Sequence, residues 1–175
     1  MNPVGSRPIP WHASRRGPTA PHPERRDRVK ARDLMSRAAV MHPDDPAEDL
    51  ILAFDGLGPV AVAVANPDGH LLGLVTRLDL LRVLLPPYVR EDPALARVLD
   101  DEDGTWALRR RLQGRRVRHV ANVRGPAVAP EDTLIKVTST LVESERSAIP
   151  VVADGIVVGV IVADDVLPAL LAACR

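Results

Sequence analysis

Two polar side chains, Thr76 and Asp79, stand in an otherwise apolar stretch of the sequence, and their types and spacing suit ligand binding. Residues 71–75 before them are typical of a short buried strand, and residues 78–85 after them are typical of a buried helix. Thr76 is therefore predicted to lie where a strand meets a helix N-terminus, whose free N–H groups and positive dipole end favour a phosphate. The Thr76 hydroxyl would add a donor, and Asp79, one turn on, could accept from a pair of ribose hydroxyls.

The same two residues also allow a purely local interpretation. A threonine followed three residues later by an acid resembles a capping box, in which the two side chains satisfy the first turn of the helix itself. The spacing of Thr76 and Asp79 leaves both interpretations open, a ligand site or a helix cap.

This stretch occurs twice in the chain. Residues 73–81 (GLVTRLDLL) recur 86 positions later as residues 159–167 (GVIVADDVL), so that Asp79 aligns with Asp165. An Asp-Gly turn precedes both stretches at the same spacing, and a shift of one residue extends the alignment to the preceding helix. Each copy is too small to bury both faces of its own sheet, so the repeat predicts two copies packed together.

Each copy is predicted to contain helices around a pair of strands. In the first copy, Asp45 and Glu48 fit a capping box with Pro46 at the first helical position, and apolar residues recur at helical spacing as far as Phe54. The other predicted elements are the strand 60–65, the turn 66–69, the second-copy helix with Leu134, Val137, Thr138 and Leu141 on one face, and the second-copy strands 148–153 and 156–161.

The composition argues against several classes of function. Four of the 175 residues are aromatic, too few for a platform on which nucleic-acid bases stack. Acidic and basic residues number 23 each, without the basic excess of proteins that bind nucleic acids or membrane surfaces. The single cysteine, Cys174, indicates a reducing compartment or indifference to redox state, and no apolar run is long enough to cross a membrane. We therefore expect a soluble, cytoplasmic protein.

Metal binding and catalysis are not expected either. The five histidines show no paired ligand spacing, and adjacent acids such as Asp44-Asp45 and Asp164-Asp165 fit helix starts or exposed loops. No nucleophile lies in a recognisable elbow or at motif spacing from a base. The sequence predicts a protein that is not an enzyme and that requires no metal or cofactor.

Two segments fall outside the repeat. Residues 1–28 contain six of the 17 prolines and six arginines against two acids, without hydrophobic periodicity, which is typical of a disordered tail. Residues 86–116 are predicted to form a connector of two short helices, one starting at Asp92 and one running from Thr105 to Gly114. The predicted organisation is a tail at 1–28, a first unit at 29–85, a connector at 86–116 and a second unit at 117–175.

The connector and the residues after it have a split charge pattern. Residues 100–103 are acidic, whereas six arginines between positions 109 and 118 form a basic cluster. We expect this cluster to be a solvated face or to form salt bridges in a dimer. Contact with the phosphates of a nucleotide and contact with nucleic acid are the alternatives.

Several motifs resemble those of the CBS domain family, here as a tandem pair over residues 29–173. They are the lead-in ARDLM at residues 31–35, the run GLVTRLDLL in the first copy and AIPVVADG at residues 148–155 in the second. The resemblance implies a mixed α/β fold of two stacked β-α-β-β-α units with pseudo-twofold symmetry. It also implies a regulatory module that commonly dimerises and binds an adenosyl ligand such as AMP, ADP, ATP or S-adenosylmethionine in a cleft.

The resemblance also assigns roles to individual residues. It makes Thr76 the phosphate-side hydroxyl and Asp79 the ribose-binding acid of the first copy, and Asp165 the acid of the second copy. Val162 stands at the hydroxyl position of the second copy, so the second site would lack that donor. Three other positions depart from the family's pattern, with His119 and Ala121 replacing a lead-in Asp and Met, and Ala63 replacing a strand Pro.

The adenine base would be contacted by segments that precede the first helix of each copy. By the same resemblance these are Val40 and Met41 in the first copy and Ala127 and Val128 in the second. A position as core strand residues is the alternative for all four.

We expect from the sequence a free-standing regulatory module that binds an adenine nucleotide between the copies and signals to an unknown protein partner by changing shape. Apolar surface on helix 78–85 predicts a homodimer, since a twofold partner could cover it. The alternative is a dimerisation or scaffold module with empty clefts, in which Thr76 and Asp79 act only as caps. A nucleic-acid-associated protein that uses the tail and the basic cluster is a third hypothesis, which the charge balance disfavours.

Overall fold

The computed structural model describes residues 29–55, 58–99, 102–122 and 125–173. The tail predicted at residues 1–28 and Cys174 lie outside the described residues. Within the described ranges, no helix is long and apolar enough to span a membrane.

The elements of the two copies follow the same order, with a connector between them. The first copy consists of α1 (Ala31–Leu34), β1 (Ala39–Met41), α2 (Asp49–Ala53), β2 (Ala61–Ala65), β3 (Leu71–Thr76) and α3 (Arg77–Leu84). The connector contains α4 (Pro87–Glu91), a 3₁₀ helix (Pro93–Leu99) and α5 (Glu102–Arg110). The second copy has a 3₁₀ helix (Val117–His119), α6 (Leu134–Ser144), β4 (Ala148–Ala153), β5 (Ile156–Val162) and α7 (Ala163–Ala173).

The strands form two small sheets that contact each other. In the first copy β1 is parallel to β2, and β3 is antiparallel to β2. In the second copy β4 and β5 are antiparallel. All five residues of β2 are buried, as expected for a strand covered on both faces. The cluster where the sheets meet consists of Ala61, Ala63, Leu74, Ala148 and Val160, and helices cover the outer face of each sheet.

The first strand of the second copy is reduced to one parallel bridge between Val128 and Val151. Val128 N donates to the carbonyl oxygen of Pro150 at 3.1 Å. The next bonds toward the N-terminus would need the N–H groups of Pro126 and Pro150, which proline lacks. In the first copy Ala63 stands where Pro150 stands in the second, and there the parallel ladder extends over three residue pairs.

Helix α2 begins at Asp49, so the capping box predicted between Asp45 and Glu48 is wrong. The Asp45 carboxylate instead accepts a hydrogen bond of 2.7 Å from the backbone of the turn before it. Pro46 pairs with Arg116 in an antiparallel bridge rather than starting the helix. Pairing with a distant segment therefore keeps these residues out of the helix, which local propensity alone could not indicate.

The connector has three helical segments rather than the predicted two. Helix α4 was not predicted, the segment that starts at Pro93 is a 3₁₀ helix, and α5 begins at Glu102 instead of Thr105. Asp103 in the first turn of α5 favours the earlier start through the helix dipole. Gly114 closes the turn after α5, with a positive φ of 71°, rather than ending the helix itself.

Each copy is preceded by a lead-in segment that packs on the other copy. The first lead-in (residues 29–36) joins the second copy, because Ser36 forms an antiparallel bridge with Val160 of β5. Ala31 of the same segment is fully buried in the core of the second copy. The start of the chain's first unit is thus held by its second unit.

The second lead-in (residues 115–122) joins the first copy in the same way. Asn122 forms an antiparallel bridge with Leu74 of β3, and Val117 is fully buried in the core of the first copy. The two lead-ins are therefore exchanged, and the copies interlock.

Ion pairs fix both exchanged segments. The Glu131 carboxylate of the second copy contacts Lys30, at 2.6 Å from Nζ, and also Arg32. The hydrogen bond from Lys30 lowers the pKa of Glu131 below its usual value. At the equivalent position of the first copy, Asp44 pairs with Arg118 of the second lead-in.

Two glycines at equivalent positions of the two copies leave space for the exchanged lead-ins. A Cβ on Gly73 would lie 3.0 Å from the carbonyl oxygen of Asn122, and a Cβ on Gly159 would lie 2.9 Å from that of Ser36. Both contacts are with backbone, which cannot move aside easily. Glycine is therefore needed where each lead-in crosses the sheet.

The tips of the two hairpins also contact each other reciprocally. Leu71 N donates to the carbonyl oxygen of Gly155 at 3.0 Å, and Val157 N donates to that of Gly69 at 3.1 Å. The two donors, Leu71 and Val157, are 86 positions apart, and so are the two acceptors, Gly69 and Gly155, so the two bonds obey the pseudo-twofold symmetry that the repeat predicts. The predicted fold of two stacked β-α-β-β-α units is confirmed.

Candidate functional site

A cleft between the two copies contains both Thr76 and Asp79. Its first-copy wall is Thr76 with one side of α3, and its second-copy wall is the end of α6 with the turn that follows. Its cavity volume is about 130 Å³, which is below the ~300–1,000 Å³ usual for small-molecule sites, and part of the cleft is open to solvent. The residues that line it are Thr76, Leu78, Asp79, Arg82, Asn122, Ser144, Glu145, Arg146 and Ser147.

The structure shows the capping box that was one of the two interpretations of Thr76 and Asp79. Thr76 Oγ1 donates to Asp79 Oδ2 at 2.7 Å, and Thr76 N donates to the same oxygen at 3.0 Å. In return Asp79 N donates to Thr76 Oγ1 at 3.2 Å. Thr76 is 6% exposed and the Asp79 side chain 15%, so these bonds are sheltered from water. The first turn of α3 is thereby fixed.

Asp79 nevertheless keeps one oxygen for a ligand. Oδ1 lies 3.6 Å from Arg82 Nη1 and accepts no hydrogen bond from the described residues. The Thr76 hydroxyl, in contrast, already donates its proton to Asp79 and would have to rotate to donate to a phosphate. The geometry therefore favours Asp79 over Thr76 as the side chain that would first meet a ligand.

The second-copy wall was missed by sequence reasoning. Glu145, the residue that follows α6, has a left-handed conformation with φ 52°, and the chain turns there toward β4. This turn places Arg146 and Ser147 in the cleft. Arg146 is 70 positions from Thr76 in the sequence and belongs to no motif, so only the packing of the two copies brings them together.

Asp165 is not among the residues that line this cleft. It lies exposed in the first turn of α7, and its carboxylate accepts no hydrogen bond from the described residues. Val162, the residue before α7, is half-buried and has no hydroxyl to hold the acid. A second site around Asp165 stays a prediction.

The four residues predicted to contact the base lie outside the described lining of the cleft. Val40 and Met41 belong to β1, and Val40 is 54% exposed. Val128 is buried in the core of the second copy, whereas Ala127 is exposed. Contact between these residues and a base stays a prediction.

The basic cluster of residues 109–118 does not contribute to the lining of the cleft that the structure describes. Arg116 and Arg118 bond to Asp44 and so help to hold the second lead-in on the first copy. The Arg109 guanidinium carbon lies 5.8 Å from the centre of the Trp106 ring. No group of three or more His, Cys, Asp or Glu side chains that could hold a metal is found in the described part of the chain.

Solved structures of the same fold are numerous among CBS proteins. A CBS domain-containing protein from Kribbella flavida is 23% identical, with a TM-score of 0.61, over 82% of this chain and 99% of that one. CBSX2 from Arabidopsis thaliana, in complex with AMP, is 21% identical, with a TM-score of 0.58, over 83% and 98%. The cytosolic domain of the Mg²⁺ channel MgtE, in complex with ATP, is 19% identical, with a TM-score of 0.56, over 79% and 48%.

The sequence itself identifies the family. Comparison with curated proteins gives no match. The CBS domain family matches residues 31–86 and again residues 117–172, which together make up more than half of the chain. The two matches coincide with the two copies of the repeat, and the chain therefore belongs to the CBS domain family, as a tandem pair.

Proposed function

We propose that this protein is a non-catalytic regulatory module that binds an adenine nucleotide, AMP, ADP or ATP, or else S-adenosylmethionine, between its two CBS copies. Binding changes the relative position of the copies and so signals to a protein target. The observation that carries the proposal is the cleft itself, which combines a half-buried acid at a helix N-terminus with polar residues of the opposite copy. The AMP and ATP complexes of two CBS proteins of the same fold support it.

Asp79 would hold the ribose through Oδ1, and the N-terminus of α3 would face the phosphate. In the first-copy sheet β1 lies two strands from β3, or about 10 Å at the usual strand spacing. Val40 and Met41 are then within reach of a base whose ribose lies at Asp79. Ala127 and Val128 would serve an equivalent ligand beside Asp165, which lacks the neighbouring hydroxyl.

The route of the signal follows from the exchanged lead-ins. Asn122 lines the cleft and is also the residue by which the second lead-in bonds to β3. A ligand in the cleft would therefore touch α3, the end of α6 and a segment that leads back to the connector. A ligand bound in this one cleft would therefore contact both copies and could change their relative position.

We propose a homodimer as the assembly. Leu78 and Leu81 on α3 are 52% and 54% exposed, and Leu167 and Leu171 on α7 are each 62% exposed. Leu81 and Leu167 occupy equivalent positions of the repeat, so both copies present apolar helix surface that a twofold partner could cover. Light scattering should give twice the chain mass at micromolar concentration, and Leu167→Glu should shift it toward the monomer. A monomeric wild type would contradict this assembly.

The experiment that tests the ligand is native mass spectrometry of the purified protein, followed by calorimetry with AMP, ADP, ATP and S-adenosylmethionine. We expect at least one of these compounds to bind, and its affinity to fall in Asp79→Ala. Absence of binding by all four would contradict the proposed function.

The capping box supports a second candidate, a scaffold module with empty clefts. Thr76 and Asp79 satisfy each other without a ligand, so their presence alone does not require one. Under this candidate Asp79→Ala lowers the melting temperature and the protein still binds none of the four compounds. The calorimetric panel separates the two candidates directly.

A further inference from the structure

Arg146 is a half-buried residue, and no protein group neutralises its positive charge within the described part of the chain. Its guanidinium has neither an ion pair nor a hydrogen bond there, whereas Arg82, on the opposite wall of the cleft, has Asp79 at 3.6 Å. A charge that loses part of its hydration without gaining a partner is unfavourable. Arg146 is therefore placed for an anion that comes from outside the chain.

The position of this guanidinium depends on Gly125. A Cβ on Gly125 would lie 3.0 Å from both Cζ and Nη1 of Arg146, and 3.3 Å from Nη2. Three atoms of the planar group thus lie at nearly the same distance from this point. A side chain at position 125 would push the guanidinium away, so the glycine allows Arg146 to lie where it does.

The other charges of the cleft leave Arg146 available. Asp79 is held by Thr76 through Oδ2 and faces Arg82 through Oδ1. Glu145, the second acid of the lining, is exposed to solvent. The N-terminus of α3 points its positive dipole end at the same cleft. An unpaired cation and a helix N-terminus on opposite walls suit a phosphate group between them.

We propose that Arg146 of the second copy binds the phosphate of a nucleotide whose ribose is held by Asp79 of the first copy. The inference rests on the proposed function and narrows it to adenine nucleotides that carry at least one phosphate. A guanidinium offers two parallel N–H donors to phosphate oxygens, which gives both attraction and orientation. Adenosine has no anionic group, and S-adenosylmethionine has a net positive charge at neutral pH, so both should bind more weakly than AMP.

The test is calorimetry with AMP, ATP, adenosine and S-adenosylmethionine on the wild type and four variants. Arg146→Ala should weaken AMP and ATP binding roughly tenfold to a hundredfold, the usual effect of losing a hydrogen bond to a charged group. Adenosine affinity should change less than about threefold, since it lacks the group that Arg146 contacts. Arg146→Lys keeps the charge but not the fork of donors, and should fall between the wild type and Arg146→Ala.

Two further variants separate position from charge. Gly125→Ala leaves every charge in place but displaces the guanidinium, so it should weaken AMP binding less than Arg146→Ala does. Arg110→Ala removes an exposed arginine of α5 outside the described lining of the cleft, and should leave all four affinities unchanged. Melting curves establish that each variant is folded.

The possible failures are distinct. If Arg146→Ala weakens AMP and adenosine equally, or weakens neither, Arg146 does not bind the phosphate although the proposed function stands. The same holds if S-adenosylmethionine binds the wild type more tightly than AMP does. If the wild type binds none of the four compounds, the proposed function fails, and the role of Arg146 with it.

Discussion

The N-termini of α3 and α7 occupy equivalent places in the two copies, but they hold their acids differently. In the first copy Asp79 is 15% exposed and shares three hydrogen bonds with Thr76. In the second copy Asp165 is exposed and follows Val162, whose side chain cannot form a hydrogen bond with it. The backbone pattern of strand, turn and helix is the same in both.

The difference shows what a single hydroxyl does at this position. Thr76 fixes the rotamer of Asp79, so that one carboxylate oxygen is used by the helix and the other is aimed elsewhere. Without the hydroxyl, Asp165 has no partner that sets its direction, and a ligand would have to order it at an entropic cost. The first copy therefore has the better prepared of the two candidate sites.

The largest expected effect is that of Asp79→Ala on nucleotide affinity. Removing the acceptor that we propose for the ribose should cost about 1.5–3 kcal/mol, or roughly tenfold to a hundredfold in the AMP dissociation constant. Loss of the cap should also lower the free energy of unfolding by about 0.5–2 kcal/mol. Calorimetry and thermal melting measure the two effects separately.

Asp165→Ala is the matched control, because it removes the same group from the exposed position. We expect little change in stability and in the affinity of the tight site. Tight binding that survives Asp79→Ala but disappears with Asp165→Ala would reverse the assignment of the two copies.

The next effect is structural and should be alike in both copies. Gly73→Ala and Gly159→Ala each place a Cβ about 3 Å from the backbone of the exchanged lead-in. Overpacking of this kind typically lowers the free energy of unfolding by about 1–3 kcal/mol. Chemical denaturation should give similar losses for the two variants, and a large loss in one alone would show that the exchange is not equally important on both sides.

A smaller and opposite effect is expected from Val162→Thr. The substitution supplies the hydroxyl that the second copy lacks, so Asp165 could form the capping bonds seen at Asp79. Stability should rise by about 1 kcal/mol, and a weak second nucleotide site should bind more tightly, by up to roughly tenfold. Thermal melting measures the gain in stability, and calorimetry measures the number of nucleotides bound per chain and their affinity. Two equal sites in the unsubstituted protein would remove the asymmetry on which this expectation rests.

The smallest effect should come from deleting residues 1–28. A segment of this composition is expected to add little packing, so the melting temperature and the AMP affinity should stay nearly unchanged. A clear loss of stability in the shortened chain would show that the segment docks on the folded part.

Much of the fold could be predicted from the sequence because the same local patterns occur in both copies, and each pattern determines structure by itself. The Asp-Gly turns, the apolar strands and the run that ends in Asp79 each determine structure locally. The strands β2 to β5 and helix α3 accordingly lie within one residue of their predicted bounds. The capping box at Thr76 depends only on neighbours three residues apart, and it too was predictable.

What could not be predicted depends on contacts between distant segments. Helix α2 starts at Asp49 rather than at Pro46 because Pro46 pairs with Arg116, and no local sequence pattern indicates that pairing. Arg146 reaches the cleft only because the second copy lies against the first. The opposite wall of the candidate site is for this reason invisible to motif spacing, although its first-copy wall is not.

The exchanged lead-ins determine how the chain can be divided. A fragment that ends after α3 would keep β1 to β3 but lose Val117 and Val120, which complete its core. It would also retain the first lead-in, which has no place to dock within the same fragment. Such a half-protein could complete its core by trading lead-ins with a second copy of itself, as in domain-swapped dimers. The tandem chain achieves the same arrangement within one molecule, where pairing does not depend on concentration.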